Sequence, residues 1–169
     1  IEIHDDFVDT HLVKKIIRRI DHPNMKVLWD AHHPWRKFGQ RPDECWSNIG
    51  KDVVDVHFKD SFVTDKERLG YKYCFLGEGD MPNQEALKVL VKSNYKGYLT
   101  LEWEKAWHDY LPEPEIGFPQ YIEKMDDRAV HTAQLQKFSK DVVSDSSEGE
   151  IIDRSGGVSD DRGVSDDRG

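Results

Sequence analysis

Four times along this chain an apolar run ends on a carboxylate or an imidazole, and amphipathic helical patterns lie between the runs. Ile1 and Ile3 alternate with Glu2 and His4, as at the end of a strand. Asp9-Thr10 offers an N-cap, and Leu12, Val13, Ile16, Ile17 and Ile20 recur at helical spacing until His22-Pro23-Asn24 breaks the pattern. Met25 to Asp30 is apolar nearly throughout, as a parallel strand covered on both faces should be. His32-His33-Pro34 then reads as a turn, with Pro34 ending regular structure. Pro42 to Ile49 predicts a short helix stopped by Gly50, and Asp52 to Phe58 a third strand. Lys59 to Pro82 reads as a long loop. Asn83 to Asn94 carries Ala86, Leu87, Leu90 and Val91 on one helical face, Gly97 to Trp103 is a fourth strand, and Ile116 to Met125 is a closing amphipathic stretch.

This alternation is the rhythm of a parallel α/β fold. In such folds functional residues gather at the carboxyl ends of the strands. Here those ends carry Glu2, Asp30 with His33, His57 and Glu102. A strand-terminal Asp followed three residues later by His brings an oxygen and a nitrogen donor together, which suits a divalent metal. Each residue alone has a plainer reading. Glu2 can be solvated, His57 a hydrogen-bonded core histidine, His32 structural, and Lys59-Asp60 a surface ion pair. Glu104 competes with Glu102, two residues before it on the same strand face. Four successive strands that each deliver a ligand type at one edge say more than any of them alone. Gly77-x-Gly79 is too short for a phosphate loop and reads as a turn needing positive φ or a close approach. Trp35-Arg36, Trp103 and Trp107-His108 suit a sugar pocket and core packing equally.

Composition divides the chain in two. All 5 Trp precede residue 126, whereas no aromatic side chain follows Phe138. A globular domain over residues 1–130 and a polar, disordered tail over 131–169 are expected. The tail ends in Gly157-Val158-Ser159-Asp160-Asp161-Arg162, repeated as Gly163-Val164-Ser165-Asp166-Asp167-Arg168, too little and too polar to stack as a solenoid. A net charge of −9 argues against a nucleic-acid backbone as main partner. Cys45 and Cys74 have neither metal-knuckle spacing nor a disulfide framework. With no apolar run of membrane length and no signal segment, a cytoplasmic location without membrane partners is the expectation. The chain does not begin with Met, and Ile1 looks like part of a strand already in progress.

Five segments together resemble the second half of the xylose isomerase-like TIM barrels. They are Glu2-x-His4-Asp5, Trp29-Asp30-x-His32-His33-Pro34, Val56-His57-Phe58-Lys59-Asp60, Leu76-Gly77-Glu78-Gly79-Asp80-Met81-Pro82 and Leu101-Glu102-Trp103-Glu104, in the family's order across residues 1–126. The resemblance implies strands five to eight of a (β/α)8 barrel, that is, about four βα units. It implies one divalent ion, Mn²⁺ or Mg²⁺ ahead of Co²⁺ or Zn²⁺, held by Glu2, Asp30, His57 and Glu102. It implies Glu2 and Glu102 as acid and base, with His33, Lys59, His4 and Arg36 toward a sugar or sugar phosphate. The implied activity is isomerisation or epimerisation by proton transfer through an enediolate. A polyol dehydratase of the same family would use much the same residues. A half-barrel that is inactive alone, or that pairs with a second copy, is a further alternative. The family's apurinic endonucleases carry an Asp-x-His after the third of these strands, and Lys59 to Pro82 holds no histidine.

Overall fold

The computed structural model describes residues 1–124, so the expected tail lies outside the described residues. Strands β1 (Val27–Asp30), β2 (Val53–Phe58) and β5 (Tyr98–Leu101) form a parallel sheet in the order β1-β2-β5. Glu2 adds a parallel bridge to Leu28 on the outer side of β1, with Ile3 N–H donating to Leu28 C=O at 3.0 Å. Three of the expected strands are therefore present in parallel, somewhat shorter than expected, and the first is reduced to the single bridge at Glu2.

Helices α1 (Thr10–Ile20), α3 (Pro42–Ile49) and α4 (Asn83–Lys92) pack in series, α1 on α3 and α3 on α4. Asp9 caps α1 by accepting the His11 N–H, and Pro42 opens α3, where its missing N–H costs nothing. The core between helices and sheet holds Ile3, Val13, Val27, Trp29, Ile49, Val56, Phe58 and Leu90, with Trp29 and Phe58 fully buried. A further helix over residues 114–124 brings Tyr121 against that core, as the closing amphipathic stretch required.

Two sequence expectations are corrected. His32-His33-Pro34 is not a turn but the first turn of α2 (His32–Phe38). Pro34 is the third helical residue, where the N–H would have no intrahelical partner, so it neither blocks the helix nor loses a bond. The stretch from Lys59 to Pro82 is not all loop. It contains an antiparallel hairpin, β3 (Asp60–Val63) with β4 (Tyr71–Cys74), that stands apart from the parallel sheet. Behind it, Asp60 is buried and gathers the N–H groups of Ser61, Gly77 and Met81 at 2.9, 2.7 and 3.3 Å. Gly77 takes φ +91°, as a glycine turn there required.

Two measurements check this packing. A Cβ on Gly79 would lie 2.2 Å from Asp60 Oδ1 and from Ser61 C=O, so Gly79→Ala should cost about 2 kcal/mol, read as a lowered urea midpoint. An unchanged midpoint would show that the Asp60 loop is not tightly packed. Burial pushes the thiols of Cys45 and Cys74 up to about 12. At pH near 8 about one in ten thousand is then thiolate. Neither should react with a disulfide reagent until denaturant is added; stoichiometric labelling of the folded chain would contradict the packing around them.

Candidate functional site

Register brings the site together. Asp30 on β1 is the cross-strand partner of His57 on β2, and Glu102 follows β5 with its N–H on Phe58 C=O at 3.1 Å. Glu2 lies one strand further out, on the far side of β1. Three strand spacings in a flat sheet would span about 14 Å. Yet Glu2, Asp30, His57 and Glu102 each offer a ligand atom within 4.8 Å of the others. The sheet must therefore curve about this point, as a barrel wall does.

Asp30 divides its two oxygens between fold and site. Oδ1 accepts the His32 N–H at 2.9 Å and so opens α2, while Oδ2 lies 2.8 Å from Lys59 Nζ and 3.1 Å from His33 Nε2. Neither contact to Oδ2 has hydrogen-bond alignment, which leaves Asp30 Oδ2 and His33 Nε2 buried in ion-pair contact but without a hydrogen-bond partner. His57 Nδ1 is 3.0 Å from Glu102 Oε2 and 3.8 Å from Glu2 Oε1. These residues could hold a divalent ion: three carboxylates and one imidazole converge, and the inner carboxylate keeps a buried oxygen without a hydrogen bond.

Lys59 departs furthest from a surface ion pair with Asp60. Its side chain is 1% exposed, and Nζ contacts Asp30 Oδ2 at 2.8 Å, Glu102 Oε2 at 3.0 Å and Glu104 Oε1 at 2.7 Å. Burial opposes its charge, but Asp30, Glu102 and Glu104 outweigh burial and hold the amine above the usual lysine range. Burial likewise pushes Asp30 up, and His33 and Lys59 overcome it, leaving Asp30 well below the usual carboxylate range. Glu102 is also lowered: His57 and Lys59 overcome its burial. For His57 the hydrogen bond to Glu102 outweighs burial and raises the imidazole above its ordinary 6.5.

Beside the cluster opens a cavity of about 830 Å³ whose lining includes His4, His33, Arg36, Glu102, Glu104 and Trp107. His4 and His33 meet edge to face at 4.2 Å. Arg36 lines the cavity but is largely committed elsewhere. It donates to Ser61 Oγ at 2.7 Å, to Ser61 C=O and to Asp80. His32 is structural, with Nε2 2.8 Å from Ser61 Oγ, buried under Tyr71 and Tyr73. The tryptophans divide. Trp35 and Trp103 pack on the core, whereas Trp107 stands 81% exposed on the cavity wall. Glu104 was read as a rival to Glu102; both serve, Glu102 in the four-residue cluster and Glu104 on Lys59. Missed in the sequence were Tyr71 and Tyr73, which line the cavity from β4.

A sequence model of the family described as xylose isomerase-like TIM barrel matches residues 1–127. The chain belongs to that family. Among curated proteins it is 25% identical over 92 residues to the uncharacterized protein YihM of Escherichia coli K12, covering 54% of this chain and 28% of that one. Among solved structures it resembles a xylose isomerase domain protein from Planctomyces limnophilus, with 25% identity, TM-score 0.49, 58% of this chain and 37% of the other. It also resembles the probable 3-DHS dehydratase AsbF of Bacillus anthracis, with 21% identity, TM-score 0.52, 61% of this chain and 42% of the other. The chain thus spans less than half the length of each relative, as four units of an eight-unit barrel do. No helix among the described residues is long and apolar enough to cross a membrane.

The raised His57 makes a prediction about the metal-free protein. A group with a raised folded pKa stabilises fully below its unfolded value and loses that contribution as pH rises through the folded one. In chelator, the melting temperature should fall as pH rises above the ordinary imidazole value of 6.5, and fall less in His57→Gln. Parallel curves for the two proteins would remove the His57–Glu102 bond as a source of stability.

Proposed function

We propose that this chain carries the metal-binding half of a divalent-metal-dependent sugar or sugar-phosphate isomerase or epimerase. The observation that carries the reading is the convergence of Glu2, Asp30, His57 and Glu102 within 4.8 Å at the carboxyl edge of a parallel sheet. Moving a carbonyl along a sugar, or inverting the carbon beside it, requires a proton to leave that carbon and return at a new place or on the other face. A bound Mn²⁺ or Mg²⁺ would polarise the substrate oxygens and stabilise the enediolate charge. The chain's own residues supply the proton traffic. Glu2 and Glu102 approach from opposite edges of the sheet, which suits one to withdraw the proton and the other to return it. His33, at 14% side-chain exposure and on the cavity wall, is placed to hold a substrate hydroxyl, with His4 against it. Trp107 offers an exposed aromatic face at the same wall for a sugar ring. Arg36, tied to Ser61 and Asp80, positions the hairpin that walls the cavity more than it offers a free charge to substrate.

Dehydration begins with the same proton removal beside a carbonyl and then expels a hydroxyl in place of reprotonation. The likeness to a probable dehydratase makes that the second reading. Product analysis separates them, because a dehydrated product gains an enone absorbance and an isomer does not.

Mn²⁺ calorimetry on residues 1–169 tests the site, with His57→Ala and Glu102→Gln as controls. Micromolar binding in the parent, weakened about a hundredfold in either variant, is the expected result. Equal binding in all three proteins would place the ion elsewhere. A folded chain that binds no Mn²⁺ would overturn the metal-binding reading of this chain.

A further inference from the structure

The four-residue cluster leaves one feature unexplained, a fully buried lysine within it. An ammonium has three N–H donors, and Lys59 Nζ meets three carboxylates, Asp30, Glu102 and Glu104, at 2.8, 3.0 and 2.7 Å. Asp30 and Glu102 belong to the four-residue cluster that could hold a divalent ion; Glu104 stands outside those four, although with His4 and Glu102 it forms a second trio of close ligand atoms. The lysine therefore draws two of its three partners from the candidate metal ligands. The sharing extends to single atoms: Glu102 Oε2 lies 3.0 Å from both Lys59 Nζ and His57 Nδ1, and Asp30 Oδ2 faces both Lys59 and His33.

We propose that Lys59 is an internal counter-cation that exchanges with the divalent ion, releasing Asp30 and Glu102 while Glu104 retains its ammonium. This inference rests on the metal-dependent reading of the site. It follows from charge. Glu2, Asp30, Glu102 and Glu104 converge on a few ångströms, and a partly buried group of carboxylates needs a cation to fold at all. Lys59 supplies that cation before any ion arrives. A divalent ion and an ammonium a few ångströms apart repel each other, so an ion held by Asp30 and Glu102 would weaken their hold on the ammonium. Glu104, 11% exposed and on the cavity wall, gives the ammonium one carboxylate outside the shared set. Lys59 is thus a positioning residue that sets how tightly the metal is held. In the loaded state its ammonium stays beside the cavity, on Glu104.

The test is a double-mutant cycle in Mn²⁺ affinity on the full chain, using Lys59→Met, Glu104→Gln and the double variant, with melting temperature as a second readout. Lys59→Met should lower the melting temperature without metal and tighten Mn²⁺ binding about tenfold or more. Glu104→Gln should weaken binding in the parent, where it strands the ammonium on Asp30 and Glu102, and have little effect once Lys59 is gone. Equal weakening in both backgrounds would reduce Glu104 to a simple field effect and overturn the exchange. Binding by Lys59→Met no tighter than the parent's would also overturn it, while leaving the metal reading intact. Tight binding by Lys59→Met beside none by the parent would overturn the exchange, because the lysine then excludes the ion from the natural chain, and would remove the metal-dependent reading with it. Absence of binding in both would end both. If Lys59→Met is unfolded alone, folding on addition of Mn²⁺ supports the exchange, and failure to fold with excess Mn²⁺ overturns it.

Discussion

The buried charge of Asp30 constrains the rest of this structure. A carboxylate with no solvent exposure, at the end of a strand buried on both faces, persists only if cations and donors reach it. One oxygen is satisfied by the start of α2, which fixes where the chain turns after β1. The other needs Lys59, and Lys59 reaches it because β1 and β2 lie side by side in parallel with Asp30 opposite His57, two residues before the lysine. Glu102 and Glu104 are then drawn to the same ammonium from the end of β5. Strand order, register and the entry of α2 are therefore coupled through one cluster of charges. Removing a single member leaves another buried without a partner, a change that typically costs about 3–5 kcal/mol in such pairs.

Much of this could be read from the sequence, for reasons that differ by element. The parallel strands were legible because Val27 to Asp30 and Val53 to Phe58 are short apolar runs bounded by breakers, and the helices because their apolar positions keep a 3.6-residue period. The convergence of Glu2, Asp30, His57 and Glu102 was legible because a parallel α/β fold sends all strand ends to one edge. The hairpin was not, because Asp60–Val63 and Tyr71–Cys74 are four residues each and their pairing depends on the Asp60 loop. Pro34 concealed α2, since a proline interrupts a helix everywhere except in its first turn. The burial of Lys59 was not legible, whether it was read as a surface ion pair or, by resemblance, as facing substrate, because its partners lie about 29, 43 and 45 positions away and no local pattern announces a buried lysine.

The relatives fit this distribution of signal. Identity to them is low, 25% or 21%, while the family match runs across the described residues. Few positions need a particular residue. The core positions ask only for apolar bulk, which many side chains provide. The strand-end acids and histidines, the glycines of the Asp60 loop and the residue that opens each helix ask for specific chemistry.

Burial across the site is steeply graded, from Asp30 and Lys59 at 0% and 1% to Glu2 at 43% and Trp107 at 81%. This gradient separates two kinds of position. Substitutions at the inner pair disturb the buried charges on which the fold depends. The hairpin and the Trp107 segment can vary in length and surface with little effect on the charges beneath them. The rim can therefore be redrawn while the charge cluster beneath it stands still.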